Sequence, residues 1–319
     1  MNAALRLSGA AVRAAGAISP RAGAAVAMPF FRYVAKPRPV HADDAPTMSL
    51  ARRRSVRIPG VDRRGVDVVV YEWGRGPRTV VLSHGWLGRA SQFSALVREL
   101  VAEGYRVVAF DGPAHGDSAG RHMYLVDWLD IFAELQQRHG RFDAIVGHSF
   151  GGLAALVGVA GGVDAARVVT ISTLADADEL LRQFQRRLRL SGAVTARLRE
   201  RFAARYFAGD PDPFAWLSAV RRPLPAEMPL LALHDEGDRY VSFGESERVV
   251  SANPGARLVP TLGLGHNRIL AADAVLDAVV EFVTADAAHV ARTPAPSADS
   301  VAPARHLDAR VAQVAGSRA

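Results

Sequence analysis

From about Ser55 to Gly263 the chain repeats one arrangement: a short apolar run, a turn, then a stretch in which apolar residues recur three and four positions apart. Apolar runs of about four to eight residues bounded by Gly, Pro or Asp read as buried strands, and the three-and-four spacing reads as helix. The strands predicted in this way are 55–59 (SVRIP), 66–73 (VDVVVYEW), 79–84 (TVVLSH), 106–111 (RVVAFD), 144–148 (AIVGH), 167–172 (RVVTIS), 230–235 (LLALHD) and 257–263 (RLVPTLG). Helices are predicted over 90–103, 123–138, 150–160 and 268–284, the first of them with Phe93, Leu96, Val97 and Leu100 on one face. Strands alternating with helices predict an α/β protein with a mostly parallel, eight-stranded sheet flanked by helices.

One connection is too long for a simple crossover. Residues 174–227 separate two strands and hold two helical patterns, Leu180, Leu181, Phe184, Leu188 and then Val194, Leu198, Phe202, Tyr206. Asp176 followed by Glu179 reads as a capping box. Unstructured loops of this length are rare in compact domains, so the segment is expected to form a helical cap inserted into the domain. The first 48 residues are rich in Ala and Arg, with no acid before Asp43. They are read as an N-terminal helix and extended arm packed on the domain; the alternative is a targeting segment, although no compact apolar core with a cleavage site follows Arg6. Pro294, Pro296 and Pro303 lie among Ala, Ser and Arg and give the end of the chain the composition of a disordered tail. The expected organisation is an N-terminal segment at 1–48, a core built from 49–173 and 228–284, the cap at 174–227 and the tail at 285–319.

The 319 residues are 49% hydrophobic and 22% charged, the balance of an ordinary globular protein. There is no cysteine, which removes disulfides, thiolate nucleophiles and cysteine metal sites. Lys36 is the sole lysine, so neither a P-loop lysine nor a Schiff-base lysine lies in the core. The net charge of +7 is unevenly spread: residues 1–58 carry ten Lys/Arg against Asp43 and Asp44, leaving the rest at −1. No basic stripe interleaved with aromatics follows, and a nucleic-acid partner is not expected. No apolar run reaches the roughly 18 residues of a membrane span, so no integral membrane segment is expected either. A cytoplasmic location is the expectation, and no feature of the sequence fixes an oligomeric state.

Gly147-His148-Ser149-Phe150-Gly151 lies where a predicted strand meets a predicted helix. Ser149 there has two readings: a helix cap, or the nucleophile of a G-x-S-x-G turn that raises its hydroxyl at the carboxyl edge of the sheet. In the second reading the N–H of Phe150, at the helix N-terminus, faces a developing oxyanion. A second donor must come from the loop after strand 79–84, where His84-Gly85-Trp86 offers the N–H of Trp86. His84 is read as a structural histidine bonded to that loop. A dinucleotide-binding loop is excluded, because position 149 is serine where G-x-G-x-x-G requires glycine.

A serine hydroxyl is too weakly acidic to attack unaided and needs a base and an orienting carboxylate, in the chain order Ser, acid, His. His266, in Gly265-His266-Asn267, is the only histidine after Asp238 and before the tail. Asp238 is preferred to Asp235 as the acid, since it lies deeper in the loop with Val241 three residues on. His234 with Asp235, Glu236 and Asp238 also has the look of a metal site, but it lacks a second histidine at ligand spacing, and no metal is expected.

Taken together, HGW at 84–86, FDGPAHGDS at 110–118, GHSFGG at 147–152, DRYV at 238–241 and GHN at 265–267 resemble the α/β-hydrolase superfamily over residues 55–284. The resemblance implies Ser149 as nucleophile, His266 as general base, Asp238 as its partner, the Trp86 and Phe150 amides as oxyanion hole, and 174–227 as the cap. It implies no cofactor and a small-molecule substrate, an apolar acyl ester cleaved by a serine hydrolase through an acyl-enzyme. Carbon–carbon hydrolysis, thioester hydrolysis, perhydrolysis and acyl transfer use the same groups, and a non-catalytic ligand-binding protein on this fold is the alternative from another class. Ala114 departs from the family's P-G-H-G, a change expected to bear on the pocket's edge.

Overall fold

The computed structural model of the chain describes residues 3–35 and 39–285. Eight strands, β1 (Arg52–Ile58), β2 (Val66–Trp73), β3 (Thr79–Ser83), β4 (Arg106–Asp111), β5 (Ala144–His148), β6 (Val168–Ile171), β7 (Leu230–Asp235) and β8 (Arg257–Thr261), form one sheet in the order β1-β2-β4-β3-β5-β6-β7-β8. β2 is antiparallel to both neighbours and every other pair is parallel. The apolar runs are continuous because both faces are covered. Val68, Val70, Val81, Val108, Phe110 and Ile145 enter one core layer, and Val69, Val80, Leu82, Val107, Ala109 and Val146 the other.

The helices are α1 (Ala3–Ile18), α2 (Pro20–Phe31) and α3 (Ala45–Ser49) before the sheet, then α4 (Ser94–Ala102), α5 (Leu125–His139) and α6 (Phe150–Ala160) between its strands. Between β6 and β7 stand α7 (Ala177–Leu188), α8 (Gly192–Tyr206) and α9 (Pro213–Trp216), followed by α10 (Phe243–Ala252), α11 (Gly265–Arg268) and α12 (Asp273–Thr284). None among the described residues is long and apolar enough to cross a membrane. Leu96, Val97 and Leu100 of α4 join Val275 and Val279 of α12 on one face of the sheet, while Trp128 and Phe132 of α5 and Leu153 of α6 pack on the other.

Several boundaries differ from the sequence reading, each for a local reason. β6 ends at Ile171 and β8 at Thr261 because Ser172 and Gly263 turn to φ 50° and 82°. The helix predicted over 268–284 is divided into α11, a 3-10 turn at Ile269–Ala271 and α12, so His266 lies on a helical turn. The single N-terminal helix expected is two, since Ser19 restarts the chain by accepting the N–H of Ala22 at 3.1 Å, with Pro20 at the first helical position. At the start of α7 half of a capping box forms: Asp176 accepts the Glu179 N–H at 2.8 Å, while the Glu179 carboxylate turns instead to Arg182 and Arg186. Residues 36–38 of the expected arm and 286–319 of the expected tail lie outside the described residues.

The N-terminal pair packs on the inserted helices. Arg13 donates to the Leu188 carbonyl at 2.7 Å, the Phe31 ring lies 5.3 and 5.4 Å from those of Phe184 and Phe202, and the Arg32 guanidinium stands 4.4 Å over the Tyr206 ring.

The reversal from β5 into α6 leaves no room for a side chain at either of two glycines. A Cβ on Gly147 would lie 2.4 Å from the Gly151 carbonyl oxygen, and one on Gly151 only 2.1 Å from the Ser83 carbonyl oxygen. Both obstacles are backbone atoms that the sheet holds fixed. Gly151→Ala is therefore expected to cost more than about 3 kcal/mol or to abolish soluble expression. Gly104→Ala, in open space at φ 79°, is expected to lose only about 1–2 kcal/mol; urea unfolding of the two variants checks the contrast.

Candidate active site

β3 is flanked by β4 on one side and β5 on the other, so the chain leaves it in opposite directions and a crevice opens at the carboxyl ends of β3 and β5. The register pairs Ser83 with Gly147, which sets His84-Gly85-Trp86 beside His148-Ser149. Ser149 adopts φ 54° and ψ −120°, a conformation that costs a non-glycine residue about 1–3 kcal/mol. Its side chain makes no capping bond to α6, which removes the helix-cap reading. The backbone is held all round: its N–H donates to Ile171 at 2.8 Å, and its carbonyl accepts from Gly152 at 3.0 Å and from the Thr173 hydroxyl at 3.3 Å.

Facing this turn, a Cβ on Gly85 would come within 2.9 Å of the Ser149 Cβ. Among the described residues the N–H groups of Trp86 and Phe150 donate to no protein acceptor. Two buried histidines fix the Trp86 loop. His84 donates from Nδ1 to the Gly85 carbonyl at 2.8 Å and accepts the Gly112 N–H on Nε2 at 2.9 Å. His115 donates from Nδ1 to Pro113 at 2.9 Å and accepts the Leu87 N–H at 3.1 Å. One donor and one acceptor each is the pattern of neutral imidazole, and burial pushes them down to about 4 and about 3. His84 is therefore structural. Ala114 lies beside them at φ 65°, the left-handed region that a glycine occupies without strain.

Across the site, His266 Nδ1 stands 2.6 Å from Asp238 Oδ2. The Asp238 carboxylate is fully buried and also accepts the N–H groups of Tyr240 and Val241 at 2.7 and 3.0 Å, with His234 Nε2 at 3.4 Å. Burial raises its pKa, but hydrogen bonds from His234 and His266 outweigh this and hold it well below the usual carboxylate range. Asp235 does different work: it accepts from Gly237, from the Thr261 hydroxyl and from the Leu264 N–H, joining the Asp238 loop to the segment that carries His266. The described residues hold no group of three or more metal-ligating side chains, and His234 turns Nδ1 to the Ser246 hydroxyl and Nε2 to the Val241 carbonyl and the Asp238 carboxylate.

Ser149 Oγ and His266 share no hydrogen bond among the described residues, yet their segments are tied together. His148 donates from Nε2 to the His266 carbonyl at 2.8 Å, and the two rings lie 4.7 Å apart. Nucleophile–base bonds are commonly long without substrate and tighten when it binds. His148 and His234 are the residues that sequence reasoning passed over as supports. The available signal was their place, each at or beside the carboxyl end of a predicted strand. His148 Nδ1 is buried without a partner, and burial followed by the His266 charge pushes its pKa down to about 3.

A model of the alpha/beta hydrolase family matches residues 80–310. A non-heme haloperoxidase of Rhodococcus erythropolis is 36% identical over 95 residues, 28% of this chain and 33% of that protein. The chain thus spans about a third of the length of the curated relatives it matches. Among solved structures, an esterase of Pyrococcus furiosus superposes with a TM-score of 0.55 at 22% identity, covering 79% of this chain and 97% of that one. A bromoperoxidase of Bacillus anthracis superposes at 0.53 with 18% identity, covering 73% and 100%. At these identities the structural likenesses speak for the fold.

His84, His115 and His148 are neutral when folded, with pKa values far below the ~6.5 of an exposed imidazole. Their contribution to stability is full above pH 6.5 and is lost as the pH falls from there toward 4 and 3, because the unfolded chain takes up three protons that the folded chain refuses. Each adds about 1.4 kcal/mol per pH unit to the loss of stability between pH 6 and 4, while Asp127, whose carboxyl burial raises to about 6, takes up its proton in the folded state and works in the opposite direction. His115→Gln should therefore reduce the slope of urea-unfolding stability against pH over this range by about 1.4 kcal/mol per unit.

Proposed function

Because the chain belongs to the alpha/beta hydrolase family, we propose that it is a serine hydrolase that cleaves a carboxylic ester of a small or medium apolar substrate. The observation that carries this reading is Ser149 on its strained turn, flanked by two unbonded amides and tied through His148 to the His266–Asp238 pair.

With Nδ1–H engaged by Asp238, His266 offers Nε2 as the base for the Ser149 proton. Ser149 Oγ attacks the ester carbon, and the Trp86 and Phe150 N–H groups receive the negative charge on the carbonyl oxygen. The ester C–O bond breaks, His266 returns its proton to the departing alcohol, and an acyl-serine remains. A water then gives a proton to His266, adds to the acyl carbon and releases the acid, and Ser149 is reprotonated. No step needs a cofactor or metal.

We read α7–α9 as a cap over this site. Gln183 of α7 donates to the Tyr240 carbonyl at 3.3 Å, and the Tyr240 ring lies 5.3 Å from that of His266, so the insertion reaches the loop that rims the base. The Trp86 ring stands edge-on to Phe150 at 6.1 Å, which supports an apolar substrate. A second reading has one observation behind it, the match to a non-heme haloperoxidase. In this chain that reading would have hydrogen peroxide replace water in attacking the acyl-serine, with a peracid leaving and Ser149 reprotonated by His266.

Intact-mass analysis after treatment with an alkyl fluorophosphonate is expected to show one adduct per chain, absent from Ser149→Ala. No adduct on folded protein would overturn the proposal. Asp238→Asn is expected to lower kcat on p-nitrophenyl esters by about 10³–10⁴-fold with little change in KM, through loss of the correct histidine tautomer. Peracid formation from acetate and peroxide at a rate above ester hydrolysis would favour the second reading.

A further inference from the structure

The charge of this protein is concentrated on one side. Residues 3–35 and 177–216, the N-terminal helix pair and the inserted helices, hold twelve arginines and five acids. Their net of +7 equals that of the whole chain, so everything else sums to zero. Between α2 and α8 runs a groove of about 610 Å³, lined by Arg21, Arg197, Arg201 and Arg205, by one acid, Glu200, and by Met28 and Tyr206 among others. Arg197 pairs with Glu200, whereas Arg21, Arg201 and Arg205 make no ion pair among the described residues. Arg201 and Arg205, one helical turn apart, repel each other without an anion between them.

α1, which packs on α2, is apolar on its outside. Leu7, Ala11, Ala14 and Ile18 recur at four, three and four positions and are exposed, Leu7 to 71% and Ile18 to 85%, while Val12 is fully buried. Phe30 and Tyr33 at the far end of α2 are exposed as well. An apolar stripe flanked by unpaired arginines is the pattern of a surface that lies in a lipid headgroup layer, and each arginine near an anionic bilayer adds to the attraction.

We propose that the outer face of α1, α2 and α8 docks on a bilayer surface bearing anionic lipid, with lipid phosphate seated in the arginine groove. Leu7 and Ile18 enter the headgroup boundary. Docking sets the inserted helices against the bilayer, and esters dissolved in lipid become the substrate class. This last step rests on the hydrolase reading above; the docking does not.

The full chain is sedimented with vesicles of phosphatidylcholine alone or with about 30% phosphatidylglycerol, at about 0.05 M and about 0.5 M salt. Binding is expected to be at least about tenfold stronger to the anionic vesicles at low salt and to fall at high salt. Arg21→Glu/Arg201→Glu/Arg205→Glu should lose tenfold or more, and Leu7→Ser/Ile18→Ser several-fold, with circular dichroism unchanged. Equal binding to both vesicle types, charge-reversed protein that binds like the parent, or tighter binding to duplex DNA than to anionic vesicles would overturn the proposal. Fluorophosphonate labelling of Ser149 in the same samples separates a failure of docking from a failure of the hydrolase reading: labelled protein that ignores vesicles overturns only the docking.

Discussion

Everything at the candidate site depends on one reversal of the chain. β5 ends in the middle of the sheet and α6 begins without a loop between them, so Ser149 must take φ 54° and its two flanking glycines must let backbones pass where a Cβ would collide. The strain, about 1–3 kcal/mol, is small against the buried strands that impose it. β5 is paired on both sides, to β3 and β6, and the Ser149 N–H and carbonyl are bonded into that frame. Relaxing the serine would mean unpairing the centre of the sheet.

Around this turn the protein uses neutral histidines as spacers. His84 and His115 each join one donor to one acceptor in the two loops that flank the Trp86 amide, and His148 joins the Ser149 segment to the backbone of His266. A buried imidazole suits this task because it is rigid and carries both a donor and an acceptor. The same burial keeps these rings uncharged, while the His266 ring meets the Asp238 carboxylate at 2.6 Å.

The inserted helices and the N-terminal pair form a further layer over one side of this frame. Arg248 clamps Asp176 at the root of α7 to Glu245 of α10, and Glu245 in turn accepts the Ala175 N–H at 3.0 Å, so the insertion is fixed at its base by charge-assisted bonds. At its outer end the contacts are aromatic, Phe31 against Phe184 and Phe202. The charge-assisted bonds thus stand at the root of the insertion, while Arg201 and Arg205 of α8 make no ion pair among the described residues.

The sequence by itself determined the eight strands, their mostly parallel order of strand and helix, and the G-x-S-x-G turn, because continuous apolar runs, three-and-four spacing and paired glycines are local consequences of burial and steric fit. It singled out Ser149, Asp238 and His266 by their positions after strands, and Trp86 and Phe150 by the turns that carry them. It did not reveal that Glu179 would leave its capping partner for Arg182 and Arg186, that α11 would break away from α12, or that His148 and His234 would contact His266 and Asp238. Nor did it reveal that the N-terminal arginines would stand beside those of α8 across one groove. These were decided by tertiary structure alone, since each depends on which side chain arrives from an element far away in the chain, and no local pattern encodes that distance.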